Sequence, residues 1–233
     1  MQPHHAFKPL VAAAVGAWLT LGAATASAQM LPQTADMAVT GTIVPAACSA
    51  SFAGGGVVDF GTIKVADLPD NAAYGLGGRD TALIVSCAST KRVYFSAVDL
   101  QSASKVTGAD MQAALGSAAT FLYGLGTGAV NGTPTNLGSY VVEMPRGTID
   151  GTSTMIVYSN DNGATWGGGG SLDHLLANGS VLYSMGGVLV PPTRGRVFNF
   201  PLRIVAALDR GSRLQVAQDT PLNGQLVFSI RYE

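Results

Sequence analysis

Histidine, cysteine and charge are all scarce in this chain, and each shortage narrows what it can do. Of three histidines, His4 and His5 fall in the first five residues, so His174 alone is left for chemistry. A Ser-His-Asp triad would have to use Asp173-His174, and no nucleophile-elbow sequence accompanies that pair. No HExxH motif or His–Cys cluster occurs, so a zinc ion has no evident ligand set and no metal or other cofactor is expected. Charged residues make up 12% of the chain, with 13 Lys+Arg against 14 Asp+Glu, too even a balance to draw nucleic acid or an anionic membrane by electrostatics. Beyond the first thirty residues no apolar run is long enough to cross a bilayer as a helix.

What is present begins with an export signal. MQPHHAFKP leads into LVAAAVGAWLTLGAATASA, which closes on Ala26-Ser27-Ala28: a charged start, a short apolar stretch and an A-x-A cleavage site. Thr20, Thr25 and Ser27 interrupt the run and polar QMLPQTAD follows, so residues 1–28 read as a cleaved signal peptide rather than an anchor. Export bears on the two cysteines, Cys48 and Cys87. An even count in an oxidising compartment favours one disulfide, while a CxxC redox or zinc site fails on spacing and ligand count. A bridge across 39 residues stabilises the fold by about 4 kcal/mol on the chain-entropy model.

Period-two alternation dominates the remainder, and Gly, Ser, Thr and Ala are abundant, which suits short strands and tight turns. Met37, Val39, Gly41 and Ile43 share one face of a first strand that Pro45 ends. GGGVVDFGTI (residues 54–63) is a glycine hinge followed by a short strand through Val58 and Phe60. TALIVSCAS and KRVYFSAVD read as a hairpin. ADMQAALGSA (residues 109–118) is the one short helix; FLYGLGTG, SYVVEM and TSTMIVYS are further strands. SNDNGATWGGGGS (residues 159–171) is a turn-rich loop. From Arg196, Phe198, Phe200, Leu202, Ile204 and Ala206 alternate, with Pro201 marking a bulge or an edge. The sequence ends on GQLVFSIRYE, whose Leu226, Phe228, Ile230 and Tyr232 form one apolar face and must dock in a sheet. The sum is a single all-β domain over residues 41–233 with eight to ten strands in a sandwich, preceded by an N-terminal extension over 29–40.

Other motifs carry less. Asn160-Asp161-Asn162-Gly163 lacks the spacing and closing glutamate of a calcium loop and reads as an Asn-Gly turn. GLGG (75–78) and GLGTG (124–128) lack a full phosphate-loop signature, and Asp59-Phe60-Gly61 is a kinase-like tripeptide alone. Asp67, Asp70 and Asp80 read as solvated turn residues rather than an acid–base pair. Tyr158, Trp166 and Tyr183 are a candidate surface for a carbohydrate or another small ligand.

Taken in order, the signal peptide, VTGTIVPAAC, GGGVVDFGTI, the second cysteine in LIVSC and the terminal strand with its penultimate tyrosine resemble fimbrial, pilin-type subunits of the chaperone–usher pathway. Nearer still, with DNGATW (161–166) and GQLVFSIRYE, the chain resembles fimbria-related periplasmic proteins of Gram-negative bacteria catalogued as a domain of unknown function. The resemblance implies an immunoglobulin-like β-sandwich with an incomplete or donor-complemented strand, and a disulfide joining the first strand to the end of the second. Leu226, Phe228, Ile230 and Tyr232 would border an open groove, and Leu31, Met37 and Val39 would be the donor side chains offered to a neighbour. It implies no enzyme activity. Its partners would be a periplasmic chaperone, an usher and neighbouring subunits, with a host or surface carbohydrate as receptor, and its location the periplasm or a cell-surface fimbrium. Two departures stand out: Thr220 occupies the place, fourteenth from the end, where pilins usually carry glycine, and residues 100–195 exceed a plain shaft subunit in length. The alternative expectation is a self-contained periplasmic or secreted binding protein.

Overall fold

The structure, a computed structural model, describes residues 47–168 and 173–233. The proposed signal peptide and the candidate donor residues Leu31, Met37 and Val39 lie outside that range. The described strands, in chain order, are β1 (Cys48–Phe52), β2 (Tyr74–Lys91), β3 (Val93–Asp99), β4 (Tyr123–Gly124), β5 (Thr127–Val130), β6 (Thr133–Asn136), β7 (Gly138–Met144) and β8 (Gly147–Ile149). They continue with β9 (Thr152–Thr154), β10 (Ile156–Ser159), β11 (Gly167–Gly168), β12 (Asp173–His174), β13 (Leu182–Met185), β14 (Gly195–Leu208) and β15 (Leu226–Tyr232).

Two antiparallel sheets pack face to face as an all-β sandwich. The first has the order β1-β2-β14-β7-β12, with β4 on β7, β8 on β14 and β9 on β8; the second runs β11-β10-β13-β3-β15. Strands β5 and β6 form a separate ribbon. The alternation read from the sequence decides which side chains meet between the sheets. Leu83 and Val85 of β2 and Phe198, Phe200 and Leu202 of β14 are buried on one side; Val93, Phe95 and Ala97 of β3 and Tyr183 and Met185 of β13 are buried on the other. Phe95 is the hub of that layer. Its ring lies 5.0 Å from Phe200 across the sandwich, 5.5 Å from Tyr183 and 5.7 Å from Phe228.

Cys48 and Cys87 are bonded, directly opposite one another in the β1–β2 ladder. The bridge stitches a five-residue edge strand to the longest strand of the sheet. Helix α1 (Ala109–Leu115) forms where expected but ends earlier, because Gly116 takes a left-handed conformation (φ 62°) and caps it. Met111 and Leu115 pack α1 on Val141 of β7 and Ala207 of β14, against the outer face of the first sheet.

Three expectations are corrected. TALIVSCAS and KRVYFSAVD are not a hairpin: β2 belongs to the first sheet and β3 to the second, and the chain crosses between sheets at Arg92. Pro201 marks neither a bulge nor an outer edge. It pairs with Ala82 of β2, and on the other flank of β14 it falls between the β8 pairing, which ends at Asn199, and the β7 pairing, which begins at Arg203. A residue without an N–H is tolerated where the neighbouring strand changes. Finally, residues 57–64 form no strand, as described below.

Truncating the hub should be costly: Phe95→Ala is expected to lower unfolding stability by about 3–5 kcal/mol, measured by denaturant titration. Replacing both cysteines by alanine should cost about 2–5 kcal/mol in the same assay, and an unchanged midpoint would refute the anchoring role of the bridge.

Candidate functional site

β15 is the last strand of its sheet, and its backbone shows which groups are free. Arg92 and Glu233 exchange both main-chain hydrogen bonds (2.9 and 3.1 Å), and Leu100 donates to the Gln225 carbonyl (3.0 Å). In an antiparallel ladder the bonded pairs alternate, so the odd-numbered residues of β15 bond to β3 while Leu226, Phe228, Ile230 and Tyr232 turn their N–H and C=O groups to the open side. Among the described residues no strand pairs with that side. The side chains report the same opening. Val93, Phe95 and Ala97 of β3 are fully buried, whereas Leu226, Phe228 and Ile230, facing the same core from β15, are only half-buried.

The facing bank is the segment at residues 57–64. Val58, Phe60, Ile63 and Val65 are half-buried and point inward, and the step from two to three residues after Phe60 comes from Gly61. That glycine has φ +73°, and its N–H donates to Asp59 Oδ1 (2.7 Å). The segment is held from outside by Arg79, whose guanidinium lies 5.2 Å over the Phe60 ring and donates from Nε to the Asp59 carbonyl (3.3 Å). It has the alternation of a strand and no ladder among the described residues. Phe52 closes one part of the groove by packing 5.1 Å from Phe228.

Between the banks lies an apolar groove of about 200 Å³, lined by Phe52, Val58, Phe60, Leu202, Leu226 and Phe228. Past the shared walls Val58, Phe60 and Leu222 it adjoins a recess of about 820 Å³ whose lining also includes Ile63, Val65, Leu137, Leu214 and Val216. Of the terminal-strand residues singled out from the sequence, Leu226 and Phe228 line the groove, and Ile230 packs on the core beside it. Tyr232 does not: it is 43% exposed and borders a separate small cleft with Arg231 and Glu233. Phe60, Ile63 and Leu222 were missed as site residues, although the broken alternation of VVDFGTIK marked the segment that carries two of them.

The proposed ligand trio does not form one open surface. Tyr183 is buried in the main core, where its hydroxyl accepts the Leu176 N–H (2.8 Å); Tyr158 is half-buried opposite it on β10. Trp166 is buried too, stacked on Tyr94 with centroids 5.4 Å apart. The turn SNDNGATW builds that stack. Asp161 accepts from Ser159 Oγ (2.6 Å), Thr165 Oγ1 (2.6 Å) and Thr165 N–H (2.9 Å), and the indole N–H donates to the Gly163 carbonyl (3.1 Å). These bonds, from the Ser159 hydroxyl first, pull the Asp161 carboxyl down to about 2. Aromatic residues at this position hold a hairpin shut rather than offer a face to sugar.

The enzyme-like candidates are dispersed. His174 packs its ring 5.5 Å from Phe121, and its Nε2 is buried without a hydrogen-bond partner. Asp80 pairs with Arg203 (3.3 Å) on the outer face of the first sheet. Asp67, at the end of a 3-10 turn, and Asp70 are exposed in the segment before β2, and among the described residues no three His, Cys, Asp or Glu side chains converge as a metal cluster.

Comparison with protein families gives a match between residues 37–141 and a family described as a protein of unknown function (DUF1120). The stretch includes both cysteines and the 57–64 bank. No curated protein matches the chain.

Because the folded carboxyl of Asp161 lies below its ordinary 3.8, the stability it lends is fully present above that pH and is lost as pH falls through about 2. Trp166 fluorescence should therefore hold steady down to about pH 4 and shift below it, and Asp161→Ala should show the shifted spectrum at pH 7. An alanine variant with the parent spectrum would mean the carboxylate does not hold the ring.

Proposed function

We propose that this chain is an exported, non-enzymatic subunit of fimbrial type, or a fimbria-related periplasmic protein, of a Gram-negative bacterium, which assembles by donor-strand complementation. The observation that carries the reading is the groove: two unpaired extended segments, β15 and residues 57–64, flank one apolar channel. An unpaired edge over an open core is an aggregation hazard, and an added strand removes it by supplying backbone bonds while alternate side chains enter the channel. On this reading the sandwich is immunoglobulin-like and pilin-type, its missing strand coming from a periplasmic chaperone or a neighbouring subunit delivered at an usher. The arm before Cys48, with Leu31, Met37 and Val39, is the segment given to the next subunit. The disulfide fits an oxidising compartment, and no helix of the described residues is long and apolar enough to cross a membrane.

The unknown-function family match is compatible with this reading and adds no activity to it. The alternative of a self-contained carbohydrate-binding protein is less well supported, since two of its three proposed contact residues are buried.

A peptide copying residues 30–44 tests the proposal. At a hundredfold over its dissociation constant, a ligand specific for the folded state stabilises by about 2.7 kcal/mol, which is about 5–10 °C in Tm for a domain of this size. Such a rise is expected for residues 42–233, together with dispersal of their oligomers, and a scrambled peptide should do neither. If residues 29–233 and 42–233 are both stable monomers indifferent to the peptide, strand donation is wrong.

A further inference from the structure

One end of the sandwich carries an apolar projection and the other an apolar recess. The loop from β13 to β14 exposes Val188, Leu189 and Val190 by 38, 85 and 51%. Leu189 sits at φ +63°, a left-handed conformation that bulky side chains rarely adopt. It is pinned there. The Leu189 N–H donates to the Trp166 carbonyl (3.0 Å), Gly186 to Met155 (3.1 Å), Thr193 to Met185 (2.9 Å), and Arg92 Nε to the Pro192 carbonyl (2.9 Å). The base of the loop admits no side chains either: a Cβ on Gly186 would stand 2.9 Å from the Thr193 nitrogen, and one on Gly187 2.9 Å from Val190. The fold thus holds a leucine out in water in a costly backbone conformation, without burying it against anything of its own. Strain kept at an exposed apolar tip points to a partner.

The shape that answers it lies at the opposite end. β14 begins at Gly195, just after the projection, and ends at Leu208 in the wall of the 820 Å³ recess. Its fourteen residues set the two about 45 Å apart. Charge differs in the same sense. Residues 186–196 contain Arg194 and Arg196 and no acid, with Arg92 at the base neutralised by Glu233 (3.4 Å), whereas the recess wall carries Asp59 and Asp219 against Lys64. The chain also enters the described residues at the projecting end, where the Ala47 carbonyl accepts from Ala88 N–H (3.1 Å).

We propose that copies of this chain contact one another end to end, with Val188, Leu189 and Val190 of one copy seated in the recess of the next. The two surfaces differ, so the contact is heterologous and repeats along a row instead of closing on itself. It goes beyond strand exchange and leaves the β15 edge free; a copy docked this way brings its own Ala47 end to the side where the neighbour's groove opens.

Cysteine pairing tests the contact on the exported, oxidised chain. Val190→Cys and Thr62→Cys place thiols beside the tip leucine and on the recess wall, and Val190→Cys with Ser229→Cys is the control pair; Leu189 is retained and all three positions are exposed, so the fold is not at risk. On mixing under mild oxidation, the tip–recess product, identified by mass spectrometry of the linked peptides, should exceed the control roughly tenfold, the discrimination expected from burying one leucine. The yield should stand when the residue 30–44 peptide is present in excess. A tip–recess yield no higher than control overturns the proposal. A yield that disappears with the peptide also overturns it, because the proximity would then follow from strand exchange; failure of the peptide to raise Tm bears on the groove reading alone.

Discussion

The contact of Phe95 with Phe200 is where the two sheets become one core. Phe95 sits on the next-to-last strand of its sheet, so the centre of the sandwich lies one strand from an edge. Everything on the far side of it depends on how well β15 is held. Phe228 leans on Phe95 from β15, Phe52 leans on Phe228 from β1, and β1 is tied to β2 by the Cys48–Cys87 bridge. The disulfide therefore supports the aromatic chain at its outermost member, where hydrogen bonds to only one neighbouring strand are available to do so.

That arrangement explains why the groove is both accessible and apolar. Had residues 57–64 paired with β15, the channel would be ordinary interior. They are instead held aside by an Asp59–Gly61 turn and by Arg79 behind Phe60, with their inward side chains still on the core. The even-numbered backbone groups of β15 and most of those of residues 57–64 have no ladder partner among the described residues, a state more typical of a surface awaiting a strand than of a finished sheet edge, which usually carries charge or proline on its inward positions.

Alternation in the sequence was informative wherever the facing of a side chain was in question. It placed Phe198, Phe200 and Leu202 inward on β14 and Leu226, Phe228 and Ile230 inward on β15, and cysteine parity anticipated the bridge. It could not say which strand lies beside which, because period two records a face and not a neighbour. That is why β2 and β3, consecutive and both alternating, looked like a hairpin while crossing from one sheet to the other. The same limit applies to VVDFGTI, whose alternation through Val58 and Phe60 reads as a strand until Gly61 breaks it, and to Trp166 and Tyr183, whose composition suggested a surface while their packing put them inside.

The β3–β15 pairing joins residues 93–99 to the last residues of the sequence, with more than half of the described chain between them. A contact of such long range is slow to form, because loop closure must precede any reward from burial. Because the chain is synthesised N-terminus first, Phe95 and its neighbours are laid out before the strand that covers their flank has arrived. The most aggregation-prone moment of folding thus coincides with the exposure of this one strand position, and a helper that binds there early would act on the yield of folded protein as well as on its final architecture.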